Sequence, residues 1–356
     1  MNSKTDSNEK RGCSHRETTY LVGDCETLLI EKLSNFIASF YENLQLKNLG
    51  VVGKGLDFLV CRADSVKLGT VAIKTPWKRK ISNDNDSDLD ARDLLKQEAK
   101  ISMYSGKFGL PLPLIHCICI DDNEIDFLIS QFIDSDNSPP DGYLFGQLMK
   151  EIHNKPAPQL KPVLQGDIPL NRTLSERIAR RLRVVANLAA IDIEIPTLEA
   201  VQSLLDRYEV KRYSLLHMDA RPANLLTQKG SIVGFVDWAN ALTADRGLEL
   251  ARIAEYGYLT PEFLRGYGQE NCFSHLPKEV ELIYRLDTAV MLGVVFLSEA
   301  PDPENAKIQL TRILELCDEL KKYFIYHFIG SGKNVGIGNP KKQWRWNHVE
   351  TGGPGS

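Results

Sequence analysis

The sequence predicts an α+β chain of two lobes, a small antiparallel-sheet N-lobe followed by a larger helical C-lobe. Three observations predict it. From residue 49 to 133 short runs rich in Val, Ile and Phe alternate with Gly- and Pro-containing turns, which is the pattern of strands. The tract "DSDNSPPDG" (134–142) then breaks every periodicity, as a linker between lobes does. Beyond it, apolar residues recur mostly at helical spacing to about Phe328. A chain of 356 residues is long enough for two such lobes. The expected division is residues 1–17 disordered, 18–134 N-lobe, 135–330 C-lobe and 331–356 a disordered tail.

Each element follows in order. The first 17 residues are polar, with no apolar core that would suit a secretory signal. "CETLLIEKLSNFIASFYENL" (25–44) predicts a helix. "LGVVGKGLDFLVCRAD" (49–64) predicts strand, Gly turn and strand, and "GTVAIKTP" (69–76) a strand ended by Pro76. The polar loop 78–93, acidic in its second half, is expected to be solvated. "DLLKQEAKISMY" (93–104) is a helix, and residues 112–134 are a hairpin turning at Asp121–Glu124. The second lobe opens on the helix "YLFGQLMKEIHN" (143–154). A loop runs to Leu170, and helices follow over 173–190 and 197–208. "AVMLGVVFL" (289–297) is too short to span a bilayer and is expected to be a buried helix.

Composition excludes little. A net charge of −4 with 25% charged residues gives no overall reason to expect nucleic acid. The seven cysteines form no CxxC pair, so reduced thiols in a cytoplasmic protein are expected and a zinc site is not. "GSGKN" lacks the spacing and the Ser/Thr of a P-loop, and "KKQWRW" fits a solvated tail better than a nucleic-acid surface.

The chemistry concentrates in "LLHMDARPANLL" (215–226) and "GFVDWAN" (234–240), predicted as strand, loop, strand, turn "TQKG" and return strand. Asn224 lies five residues after Asp219, and Asp237 thirteen after Asn224. A hairpin of that length brings Asn224 and Asp237 together at its base. A carboxylate to take a hydroxyl proton, with an amide and a second carboxylate as hard oxygen ligands for Mg²⁺, is what phosphoryl transfer from ATP requires. An isolated Asp or Asn near a turn is ordinarily a cap; the joint spacing favours the functional reading. His217 is expected to be structural. Arg221, two after Asp219, suits either a cation on the transferring phosphoryl or a loop arginine paired with a neighbouring acid.

"HMDARPANLL…GFVDWANALTADRGLELA" resembles the catalytic segment of the aminoglycoside phosphotransferase and choline kinase-like family. Met218 replaces that family's Gly, and Glu249 replaces an Asp; Asp237-Trp238 stands where protein kinases have Asp-Phe-Gly. The resemblance covers about residues 50–265. It implies a protein-kinase-like fold, ATP and Mg²⁺, and a small-molecule hydroxyl as acceptor. It further implies Asp219 as base, Asn224 and Asp237 as metal ligands, and Gly53 and Gly55 near the phosphates. Lys74 would hold the phosphates with Glu98 as its ion-pair partner, and Ser130, Gln131, Phe132 and Ile133 would form the adenine-binding strand. A protein kinase and a catalytically inactive nucleotide-binding module are the competing functions. An aminoglycoside, an amino alcohol, an amino acid or a sugar-like compound all remain open as acceptor.

Overall fold

The computed structural model describes residues 18–86, 89–120, 125–160 and 168–330. The segments 1–17 and 331–356, expected to be disordered, and the turn 121–124 lie outside these. Helix α1 (Thr18–Phe40) starts earlier than its apolar pattern suggests and ends sooner; Glu42–Leu44, expected within it, form a 3-10 turn. The left-handed Gln45 (φ 45°) then closes that turn. Strands β1 (Leu46–Lys54), β2 (Phe58–Ser65) and β3 (Gly69–Pro76) follow, then the short pair β4 (Lys80–Ile81) and β5 (Leu89–Asp90). Helix α2 (Ala91–Gly106) is capped by the Asp90 carboxylate, which accepts from Arg92 N–H. Strands β6 (Ile115–Cys119) and β7 (Phe127–Gln131) complete an antiparallel sheet of order β1-β2-β3-β7-β6.

Strand periodicity divides this sheet into two faces. Leu59, Cys61, Val71, Ile73, Phe127 and Ile129 point to one side and pack under Leu33, Phe36 and Ile37 of α1. The intervening residues Val60, Ala72, Lys74, Leu128 and Ser130 face the cleft between the lobes. A lysine in an otherwise apolar strand is thus aimed at the cleft by register alone.

The tract after β7 forms no helix or strand, yet it is stapled to the hairpin around Lys229 and Gly230. Asp136 N–H donates to the Thr227 carbonyl, Thr227 Oγ1 to the Ser138 carbonyl, and Lys229 N–H to the Asp136 carboxylate. The C-lobe then runs through α3 (Gly142–Asn154), α4 (Leu170–Ala189), α5 (Leu198–Asp206), β8 (Ser214–Leu216), β9 (Leu225–Gln228), β10 (Ser231–Phe235) and β11 (Leu242–Ala244). Helices α6 (Arg246–Glu255), α7 (Pro261–Tyr267), α8 (Lys278–Val294) and α9 (Pro303–Gly330) complete it, with a π-helical turn at Val295–Glu299. The run at 289–297 therefore leaves the α-helix before its end. Helices α3 and α7 cross at Gly146 and Gly266, where a Cβ would collide with the Phe263 and Tyr143 carbonyls respectively.

Two apolar clusters hold the C-lobe. Leu182, Val185, Ile283, Leu286, Ile313 and Leu320 join α4, α8 and α9. Phe145, Met149, Phe235, Trp238, Leu250 and Phe263 surround the catalytic segment. Burying such side chains contributes about 1.5–3 kcal/mol each. Among the described residues no helix is long and apolar enough to cross a membrane. Cys61, Cys117, Cys272 and Cys317 are free thiols.

Candidate active site

The lobes enclose a cleft of about 1070 Å³. Lys74 lies at one end of it. Its Nζ lies 2.7 Å from Glu98 Oε2 and 2.8 Å from Asp237 Oδ1, and 4.7 Å from the centre of the Phe58 ring. Burial works against the ammonium charge, but Asp237 and then Glu98 outweigh it and raise the Lys74 pKa. Lys74 in turn holds the Asp237 carboxylate below its usual range. One cation therefore ties the sheet, α2 and the catalytic hairpin together. Gln97, beside Glu98, donates to the carbonyls of Ala239 and Ala241 at 2.6 and 2.9 Å, which fixes α2 to the Asp-Trp turn.

The hairpin is tighter than its sequence suggests. Thr227 and Gln228, expected in the turn, belong to β9, and only Lys229 and Gly230, both at positive φ, make the reversal. Such a two-residue turn matches the twist of its strands. At the open end Val236 N–H donates to the Asn224 carbonyl at 3.0 Å, which places Asn224 one residue from Asp237 across the ladder. Asp237 adopts a left-handed backbone (φ 67°, ψ 58°), a conformation that non-glycine residues hold only where packing enforces it. Trp238 supplies that packing. It is buried, its Nε1 donates to the Phe235 carbonyl at 3.0 Å, and it meets the His217 ring edge to face.

Asp219 receives three side-chain donors: Tyr256 Oη at 2.8 Å on Oδ1, with Asn224 Nδ2 at 2.8 Å and Arg221 Nε at 3.1 Å on Oδ2. His217 braces the loop. Its Nε2 faces the Val236 carbonyl at 2.9 Å and its Nδ1 accepts Asp219 N–H at 3.1 Å. A ring nitrogen that accepts carries no proton, so this His is the Nε2–H tautomer and structural, as expected.

Met218 shows why a glycine is at home before Asp219: its φ is 63°. Its amide donates to Glu249 Oε1 at 2.7 Å, and Glu249 Oε2 meets His153 Nε2 at 2.9 Å, all three residues being buried. Asp245 caps α6 through Gly247 N–H and binds Tyr208 and His275. These two acids brace the fold.

Gly53 and Gly55 border the cleft at the β1–β2 turn, and Gly55 N–H donates to the Phe58 carbonyl at 2.9 Å. Ser130, Gln131, Phe132 and Ile133 also line it. Two of their amides are engaged internally, Gln131 N–H with the Leu114 carbonyl and Phe132 N–H with the Thr70 carbonyl. Tyr256, Gln97 and Asp57 line the cleft without any signal in the local sequence. Burial first, then Asp86, Glu299 and Asp237, push the Asp57 carboxyl up to about 6.

The donor set suits a hard divalent cation. The two Asn224 Nδ2 bonds go to Asp219, which leaves its Oδ1 to bind elsewhere, and the Asp237 carboxylate opens onto the cleft. Among the described residues no cluster of three or more His, Cys, Asp or Glu could hold a metal unaided. A cation here would share its coordination with phosphate oxygens and water, as Mg²⁺ does.

The family model of the phosphotransferase enzyme family APH matches residues 70–282. Among curated proteins none matches the chain in sequence. Solved structures resemble it in fold. A putative fructosamine-3-kinase from Haemophilus somnus 129PT aligns with TM-score 0.58 at 15% identity, over 83% of this chain and 98% of that one. A thermostable mutant of aminoglycoside phosphotransferase APH(4)-Ia, in ternary complex with ADP and hygromycin B, gives 0.55 at 14% identity, over 81% and 97%. The spectinomycin phosphotransferase APH(9)-Ia, in complex with ADP and spectinomycin, gives 0.50 at 15% identity, over 82% and 98%. The fold is thus the bilobal kinase-like one, and the chain belongs to the APH phosphotransferase enzyme family, an ATP-dependent phosphotransferase by its family and by the cleft its sequence builds.

Proposed function

We propose that the chain is a small-molecule kinase that transfers the γ-phosphoryl group of Mg·ATP to a hydroxyl of a small acceptor. One observation carries the reading: Asp219, Asn224, Asp237, Lys74 and Glu98 all face one cleft, with Lys74 bonded to both Glu98 and Asp237. Asp219 is oriented by three donors and takes the proton of the attacking hydroxyl. The hydroxyl oxygen forms a bond to the γ-phosphorus while the bond to the β–γ bridging oxygen breaks, and ADP leaves with that oxygen. Lys74, held by Glu98, neutralises phosphate charge; Gly53 and Gly55 let the backbone approach the phosphates. The strand end Ser130–Ile133 receives the adenine, through groups other than the engaged Gln131 and Phe132 amides. Mg²⁺, held by Asn224 and Asp237, supplies charge neutralisation on the phosphates when bound.

Arg221 bonds to Asp219 and borders the cleft. It orients the base, and on this reading it also stabilises charge on the transferring group.

The reading is tested with Asp219→Asn. Transfer should fall by about 10²-fold or more in kcat, with Mg·ATP affinity nearly intact, because the base meets the acceptor and not the nucleotide. An unchanged kcat for an acceptor turned over by the wild type would remove Asp219 from the chemistry.

A further inference from the structure

Beyond Asp219 the cleft is walled by arginines. Arg177 and Arg181 lie one turn apart on α4, and Arg252 lies on α6. All three converge on Asp287 of α8, whose side chain is fully buried. Arg177 grips it with two bonds, Nε to Oδ1 at 2.8 Å and Nη2 to Oδ2 at 2.6 Å. Arg181 Nη1 and Arg252 Nη2 stand 3.7 Å from the same carboxylate. Three guanidinium charges thus meet one carboxylate. Arg252 Nη1 donates to the carbonyl of Met218, the residue before Asp219, so this cluster adjoins the reacting end of the acceptor site.

Two donors in it have no hydrogen-bond partner among the described residues: Arg181 Nη1 and Arg252 Nε. Yet Arg181 is 3% exposed and Arg252 7%. Buried guanidinium charge without a matching anion is costly. Burial, and then Arg177, push the Arg181 pKa down to about 10 against the pull of Asp86 and Asp287.

Among the described residues, the further carboxylate on Arg181 comes from the other lobe. The loop 82–86 reaches down to α4, and Asp86 Oδ1 lies 3.2 Å from Arg181 Nη2. The Asn85 carbonyl accepts from Arg180 and Arg181. The Asn85 amides engage Glu299 at 2.9 and 3.0 Å, so that acid is not a bare site for a cation. The loop expected to be solvated is therefore docked across the cleft. The acids of the helical lobe are engaged as well: Asp245, Glu249, Glu255 and Asp287 are all bonded within it.

We propose that the acceptor carries an anionic group, a carboxylate or a phosphate, bound by Arg181 and Arg252 beside Arg177, and that Asp86 stands on Arg181 where this group would bind. The inference rests on the kinase reading only for placing the acceptor hydroxyl at Asp219.

The test is calorimetric titration of the full chain with malonate and, separately, inorganic phosphate, each with and without Mg·AMP-PNP. Either anion should bind the wild type, and Asp86→Asn should tighten it at least threefold by removing the competing carboxylate. Arg181→Met should weaken it at least tenfold with Mg·AMP-PNP affinity unchanged; if that variant does not fold, Asp86→Asn decides alone. Whichever of malonate and phosphate binds more tightly identifies the anion class. An ADP-release assay then compares glycerate and glycerol 3-phosphate with glycerol and ethanolamine, and any turnover should favour the anionic pair. No binding of either anion to wild type and Asp86→Asn, equal binding to both, or preferred turnover of ethanolamine or glycerol would overturn the proposal. Failure of Mg·AMP-PNP to bind would instead count against the kinase reading, and the anion titrations without nucleotide stand apart from it.

Discussion

The two ends of the cleft balance charge in opposite ways. At the nucleotide end one cation, Lys74, faces two carboxylates, Glu98 and Asp237, and the excess is negative. At the acceptor end two carboxylates, Asp287 and Asp86, face Arg177, Arg181 and Arg252, and the excess is positive by one charge. A negative excess suits a site completed by a metal cation; a positive excess suits one completed by an anion. The two ends also differ in burial. The Asp237 side chain is 43% exposed, whereas that of Asp287 is fully buried. Loss of a carboxylate should therefore be felt as lost ligand affinity at one end and as lost folding stability at the other.

Asp287→Ala should give the largest effect. It would leave three guanidinium groups buried around an apolar gap, and removing one partner of a buried ion pair costs about 3–5 kcal/mol. Denaturant unfolding of the variant measures this; a loss under about 1 kcal/mol would mean that the arginines relax to water and that the acceptor end is not tightly charged.

Met218→Gly comes next, because Met218 lies where the ends meet. Glycine would relieve a left-handed backbone worth about 1–2 kcal/mol. It would also remove a side chain that is 2% exposed and packed in the C-lobe core, a loss of about 2–5 kcal/mol. The cavity term is the larger, so a net loss of about 1–3 kcal/mol is expected. A more stable Gly variant would show that backbone strain dominates.

Asp237→Ala should spare stability and weaken Mg²⁺-dependent nucleotide binding by about tenfold or more, because Lys74 keeps Glu98 while the metal loses a charged ligand. Titrating nucleotide at several Mg²⁺ concentrations checks this. An unaltered Mg²⁺ dependence would place the metal elsewhere and erase the contrast between the ends.

Asp57→Asn should have the smallest effect and a defined pH signature. The folded-state pKa of about 6 lies above the ordinary 3.8. Between roughly pH 4 and 6 the folded chain therefore holds more protons than the unfolded one, and its stability falls as pH rises through that window. The Asn variant carries no such charge. Its Tm should exceed that of the wild type at pH 7.5 and converge with it near pH 4. Equal Tm values at pH 7.5 would mean that neither burial nor the neighbouring Asp86, Glu299 and Asp237 disfavour the Asp57 charge.

The sequence by itself determined that Asp219, Asn224 and Asp237 come together and that Lys74 faces the same cleft. Asp219, Asn224 and Asp237 are brought together by one hairpin, and the geometry of a short hairpin follows from residue spacing. Lys74 is aimed at the cleft by the two-residue period of β3, whereas Glu98 was named as its partner only through the family resemblance. The strand order β1-β2-β3-β7-β6 was legible only as hairpins, and the docking of α1 on its outer face was not legible at all. Only the tertiary structure decided the acceptor end. Arg177, Arg181, Arg252 and Asp287 come from three helices, and Asp86 from a loop in the other lobe. A charged residue on an isolated amphipathic helix looks like part of a solvated face. Helix packing, which depends on side chains far apart in the chain, determines whether that face meets water or a buried carboxylate. For the same reason the bracing bonds of Asp245 and Glu249 came into view only once α6 was packed beneath the loop of Asp219.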